Sequence, residues 1–175
     1  TNNLQITGAI LQGPSNNSYD QTNSYNAIFG KDNFADGWYG FINGAGCTTG
    51  HDGKFTHAEG SGSKAIGESS HAEGWFTTTA GRWYTASHAE GAYTSASAKF
   101  SHAEGLWTRT SGIASHAEGS GSWAQALGSH TEGKDTKVNW AGDYGHAEGF
   151  ETQVSGTYAH AEGYQTHAKG IASHA

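Results

Sequence analysis

Three consecutive stretches decide how this chain folds: SHAEGAYTSASAKF (Ser87–Phe100), SHAEGLWTRTSGIA (Ser101–Ala114) and SHAEGSGSWAQALG (Ser115–Gly128). The quartet His-Ala-Glu-Gly begins at His57, His71, His88, His102, His116, His146 and His160; it reads His-Thr-Glu-Gly at His130 and runs only to His174-Ala175 at the end. Successive intervals are 14, 17, 14, 14, 14, 16, 14 and 14 residues. A fixed period of this length is the mark of a repeat architecture in which each unit buries its inner face only by stacking on its neighbours.

Counting the His as place zero, the unit reads His-Ala-Glu-Gly, two variable places, Thr or Ser, a variable place, usually Ala, a variable place, usually Gly, and a short run ending most often in Ser. Two glycines seven residues apart divide it into equal halves, each the size of one short strand and one corner. Glycine permits positive φ at a corner, and small and variable residues alternate with the period of two of a strand. Two glycines and several β-branched threonines per unit disfavour a helix. The expected fold is all-β, a parallel β-solenoid of 14-residue turns. At ~4.8 Å per turn, the ten intervals from Ala27 to His174 span about 48 Å.

Fourteen residues before His57 stands Asn43-Gly44-Ala45-Gly46, and sixteen before that Ala27-Ile28-Phe29-Gly30, each closing on glycine. Terminal repeats pack on one side only, so atypical first turns are expected. The division that follows is residues 1–26 as an N-terminal cap, neck or linker and 27–175 as the repeat domain, with 27–56 degenerate capping turns and 57–175 the His-Ala-Glu-Gly turns. Leu4, Ile6, Ile10 and Leu11 form a short apolar strand candidate, followed by a turn or linker over 13–18.

The composition agrees with a rod. The chain has 175 residues, 27 of them Gly, with one Pro, no Met and 14% charged residues. From His57 onward the only branched aliphatics are Ile66, Leu106, Ile113, Leu127, Val138, Val154 and Ile171, too few for a two-layer core. Six Trp, eight Tyr and seven Phe argue against disorder. A net charge of −7 with no basic cluster speaks against nucleic acid as a partner. No apolar run is long enough for a spanning helix, so no membrane insertion is expected. Cys47 stands alone and pairs with no second cysteine of the chain. With no initial Met and an end part-way into a unit, the sequence reads as a piece of a longer protein.

The units at Ser70–Gly74, Ser87–Gly91, Ser101–Gly105 and Ser115–Gly119 resemble the YadA-like head repeats of trimeric autotransporter adhesins, and more closely the same repeats in tail-fibre proteins of phages and prophages of Gram-positive bacteria. The resemblance covers roughly 27–175. It implies a left-handed parallel β-roll, three copies of which form an intertwined homotrimer that touches a host surface, and hence an extracellular location on a virion tail fibre or a bacterial cell. Many family units carry Ile at the first inward position, where this chain has Ala.

In a strand the His and Glu project from one face and the Ala between them from the other. Stacking therefore yields a column of His (His57, His71, His88, His102, His116, His130, His146, His160) beside a column of Glu (Glu59, Glu73, Glu90, Glu104, Glu118, Glu132, Glu148, Glu162), with like charges ~5 Å apart. Each Glu needs a donor, and the His is the candidate, in its own turn or across a protomer boundary. The plain reading is that these ladders serve folding and trimer registry. A His-x-Glu pair suits transition metals but lacks the four-ligand spacing of a structural zinc site, so no metal and no cofactor is expected. Catalysis needs one differentiated constellation, and identical copies supply none, so no enzyme is expected.

Recognition is expected where the repeat varies. The long intervals starting at Ala27, His71 and His130 carry extra residues near the second corner together with Trp38-Tyr39, Trp83-Tyr84, and Trp140 with Tyr144. Trp75-Phe76, Tyr93, Phe100, Trp107, Trp123, Phe150, Tyr158 and Tyr164 add aromatics at other variable places. Trp38, Tyr39, Trp83, Tyr84, Trp140, Tyr144, Trp75 and Trp107 are the candidate ligand-binding residues, since amphipathic rings beside small polar residues suit a sugar or a protein on a host surface. Filling the seam between protomers is the alternative use of the same rings. A purely structural spacer or filament subunit, and a fibre-borne polysaccharide depolymerase, are the alternative functions.

Overall fold

A computed structural model describes residues 10–18, 25–50, 54–80 and 85–175. These form two parallel sheets of eleven strands each, with no helix among the described residues, and none is long and apolar enough to cross a membrane. Most turns give places 0 to 4 to the first sheet, the turns at Ile10, His116 and His160 giving fewer, and every described turn gives places 7 and 8 to the second, as in His102–Leu106 and Arg109–Thr110. Strands pair in register with their counterparts one turn away: His88↔His102, Ala89↔Ala103, Glu90↔Glu104, Gly91↔Gly105. The fold is thus the expected β-solenoid of roughly 14-residue turns.

The core between the sheets is made of the smallest side chains. Ala58, Ala72, Ala89, Ala103, Ala117, Ala147 and Ala161 at place 1 are wholly buried, as are Ala65, Thr79, Ala96, Thr110, Ala124, Val138 and Val154 at place 8. Hydroxyls also enter this core, some with hydrogen-bond partners and others, such as Thr94, Thr108 and Thr110, without one. At place 13, Ser70, Ser101, Ser115 and Ser129 donate to the carbonyls of Gly67, Ala98, Gly112 and Ala126 three residues back, at 2.6 to 2.8 Å, which closes the second corner. At place 6, Thr77 donates to Ser63 and Thr136 to Ser122 along the coil axis. A small hydroxyl fits where aliphatic volume does not, and in these turns its donor is satisfied as well.

The glycine of the quartet has a different task from the one the sequence suggests. It lies inside the first strand at φ near +105°, and a Cβ on Gly60, Gly74, Gly91, Gly105, Gly119, Gly133 or Gly149 would overlap the carbonyl oxygen of the next glycine in the column. The corners themselves, at places 5 and 12, are taken in left-handed backbone largely by residues with side chains, including Tyr93 (φ 56°), Trp107 (φ 59°), Phe100 (φ 59°) and Tyr158 (φ 58°). Such a φ costs about 1 kcal/mol per residue. Ring-on-ring stacking at the strand repeat offsets it, as for Tyr93 and Trp107 at 4.3 Å and Tyr144 and Tyr158 at 5.4 Å.

The register of the early turns corrects the reading from sequence. Phe41-Ile42-Asn43-Gly44, and not Asn43 to Gly46, pairs with His57 to Gly60, and Ala27 to Gly30 pairs with Phe41 to Gly44. Turn lengths are therefore 14 from Ala27 and 16 from Phe41, in the reverse order of the expectation. Gly44 belongs to the crowded glycine column, whereas a Cβ on Gly46 would meet nothing within 4 Å. The coil also begins earlier than expected: Ile10–Gln12 pairs with Ala27–Phe29 and Asn17–Ser18 with Phe34–Ala35, so part of the segment assigned to a cap, neck or linker is a turn of the same kind.

Candidate binding surface

The outer face of the first sheet carries the His and Glu columns, and both form as expected. Seven successive ring pairs from His57 to His160 stack with centroids 4.3 to 4.8 Å apart and planes within 17° of parallel. His57, His71, His102, His130, His146 and His160 hold the Glu of their own turn at 3.2 to 4.0 Å through Nε2, and His130 also reaches Glu118 of the preceding turn at 3.8 Å. Nε2 of all eight ladder histidines is buried and lacks a well-aligned hydrogen-bond partner. Burial first, then the like rings above and below, holds His71 and His102 below their ordinary value of 6.5, while the neighbouring carboxylates pull the other way.

Groups such as His71, Glu73 and His88, or His102, Glu104 and His116, bring their ligand atoms within 4.8 Å of one another. Two imidazole nitrogens on one zinc ion sit at most ~4.2 Å apart, twice a bond of about 2.1 Å. The rings of His71 and His88 are within 5° of parallel, so their in-plane nitrogen lone pairs run side by side and do not converge, and a shared ion requires rings to leave the stack.

The expected ligand residues fall on two different edges of the coil. Trp38, Tyr39, Trp140 and Tyr144 lie at the second corner; Trp75 and Trp107 lie at the first. Trp38 and Tyr39 sit in a turn of 14 residues without any insertion, contrary to expectation; Tyr39 stacks between Tyr25 and Phe55. Trp140 is in the 16-residue turn and is 63% exposed. Trp83 and Tyr84 lie outside the described residues. The six described residues do not converge on one site.

One part of the surface is concave. A groove of about 430 Å³ runs along the rod between the first-corner aromatics Phe76, Tyr93 and Trp107 and the second-sheet residues Thr78, Ser95, Arg109 and Trp123, with Ser97 and Ser111 beside them. Phe76, Tyr93 and Trp107 make a stacked column at 5.7 and 4.3 Å, and Trp75 leans on Tyr93 at 5.1 Å. Arg109, Trp123 and Lys137 share place 7 of three successive turns, and the two cations lie 5.9 and 4.9 Å from the Trp123 ring centroid. The sequence carries a signal for this trio, three non-repeat residues spaced fourteen apart, which column-by-column reading of the variable places brings out.

Comparison of the chain with protein-family models gives no match, and comparison with curated proteins gives none either.

Proposed function

We propose that this chain is a segment of a trimeric extracellular fibre, a rigid rod that presents its variable aromatic residues to a glycan or protein of a host surface. The observation that carries the reading is the contrast between the rod's faces. One face repeats His and Glu in every turn from His57 to His160, while the first corner and second sheet change residue at almost every turn. A small ligand needs one good site, and nothing in its binding would hold eight copies alike. A partner that profits from all eight must share the same axial repeat, and another copy of the chain is such a partner. The half-exposed Glu row gives that face accessible hydrogen-bond acceptors, a reason for it to seek polar partners.

The variable face supports the recognition half of the proposal, because large exposed rings on a surface of Ser, Thr and Gly mark contact sites better than scattered single apolar residues do. Left-handed coiling and the intertwined trimer follow from the family resemblance.

Solution mass tests the assembly: light scattering is expected to give three times the 18.3 kDa of one chain. A monomeric mass overturns the fibre reading. Labelled trimer is then applied to whole bacterial cells and a glycan array, where binding is expected; a trimer that binds neither reduces the rod to a spacer.

A further inference from the structure

Resting on the reading that the variable face meets a host-surface glycan, we infer that the groove along the turns from His71 to His116 is the glycan site and that its ligand is an anionic oligosaccharide. Its sugar rings lie against Trp107 and Trp123, and its acidic group pairs with Arg109.

The aromatic column of the first corner stops at Trp107 for a simple reason. Place 5 of the next turn is Gly121, which offers no ring to continue the stack, and Trp107 is 52% exposed. One indole face is covered by Tyr93 at 4.3 Å, and the other has no aromatic neighbour. An indole face edged by hydroxyls is a platform for the C–H face of a sugar ring. Those hydroxyls are in place. Ser95 and Ser97 pair at 3.0 Å, and Ser111 accepts the indole N–H of Trp123 at 3.4 Å. Each retains hydrogen-bonding capacity for a ligand hydroxyl.

The charge of the ligand follows from Arg109. The chain holds sixteen acidic residues against nine basic ones, yet among the described residues neither Arg109 nor Lys137 has a carboxylate at ion-pair distance. Both cations rest instead on Trp123, the ring that closes the groove. An exposed guanidinium at a groove floor has donors in a fork that fits a carboxylate or a phosphate. The groove volume of about 430 Å³ suits a short oligosaccharide, and its axis follows the rod, so a chain of sugars runs along successive turns.

The test is an array carrying neutral oligosaccharides, uronate-bearing oligosaccharides, phosphodiester-linked glycans and immobilised peptides, probed with the full chain and with W107A, R109Q, R109K and W140A. Thermal melts of each variant verify folding. The full chain is expected to prefer one acidic class over the neutral one, and the preferred class tells a carboxylate from a phosphate. R109Q should lose about tenfold on that class, as removal of a charge-assisted hydrogen bond predicts, with partial recovery in R109K. W107A should lose binding to every class, and W140A, outside the groove, none. Equal binding of neutral and acidic sugars, unchanged binding by R109Q, or capture on peptides alone overturns the inference. Cell binding that depends on Trp140 with no glycan bound removes the groove and leaves the fibre reading standing; no binding to cells or array removes the groove and the recognition half of that reading together.

Discussion

The two strands of each turn differ in how much they tolerate. The first strand keeps His, Ala, Glu and Gly through eight turns, with Thr131 the single exchange; the second, only two residues long, accepts Lys, Thr, Ser, Arg, Trp, Gln and His at place 7 and Ala, Thr and Val at place 8. The difference lies in what each place touches. Place 3 meets the backbone of the next turn, which cannot yield, whereas place 7 faces solvent and place 8 faces a core with room for a methyl group. Constancy at place 3 therefore marks backbone contact between turns of the rod.

The largest effect is expected where that contact is closest. Gly105→Ala puts a Cβ onto the carbonyl oxygen of Gly119 at a φ of 106°, and the ladder must open to make room. Loss of the cooperative melt followed by circular dichroism is expected. Gly46→Ala is the counterpart: φ is 66° and no atom lies within 4 Å, so the cost is that of left-handed backbone alone, about 1 kcal/mol. If both variants melt alike, place 3 is constant for some reason other than crowding.

A middle effect separates the two inner columns. Ala103 at place 1 is fully buried and packs with Ala89 and Ala96, so Ala103→Leu overfills the core by three carbons and should cost about 1–3 kcal/mol. Ala124→Val at place 8, between Thr110 and Val138, reproduces a side chain the column already holds and should cost less than about 1 kcal/mol. Chemical denaturation of the two variants measures the gap, and a reversed order would contradict the packing described for the core.

These contacts also explain which features were legible in the sequence. The quartet gave away the turn because His, Glu and Gly all recur, and register follows once one place is known. The turns before His57 lack His and Glu, so a closing glycine was the remaining guide, and Gly44 and Gly46 stand two apart. The informative residue was Ile42: buried like the alanines of place 1, it belongs to an alternation that selects Gly44. The turn at Ile10 was hidden by Pro14 and by the loss of every quartet residue except Gly13. The corners were assigned to glycine on conformational grounds, and Tyr, Phe and Trp take them because stacking along the axis offsets the strain, a contact that sequence shows only after the turns are aligned. The groove was half legible for the same reason: Trp107 and Trp123 stood out by type, while Arg109 and Lys137 acquire meaning only as vertical neighbours of Trp123.

The smallest effect concerns the constant face and appears with pH. His71 and His102 are held below 6.5 by burial, then by the rings of His57 and His88 around the first and of His88 and His116 around the second; Glu59 and Glu73, and Glu104 and Glu118, act in the opposite sense. As pH falls through 6.5 the unfolded chain takes up protons at these residues before the folded rod does. The unfolded state then binds more protons, so stability decreases with falling pH; above the ordinary value both states are neutral there, and these two residues add no pH dependence. Calorimetric melts at about pH 7.5 and about pH 5.5 should show a lower Tm in acid, and His102→Gln, with no proton to take up, should flatten the slope. A neutral ring stacked on neutral rings tolerates a repeat of under 5 Å, and a charged one does not. A Tm that rises toward pH 5.5 would mean that the Glu row, and not the like rings, sets the charge state of the column, and the constant face would then be a ladder of ion pairs.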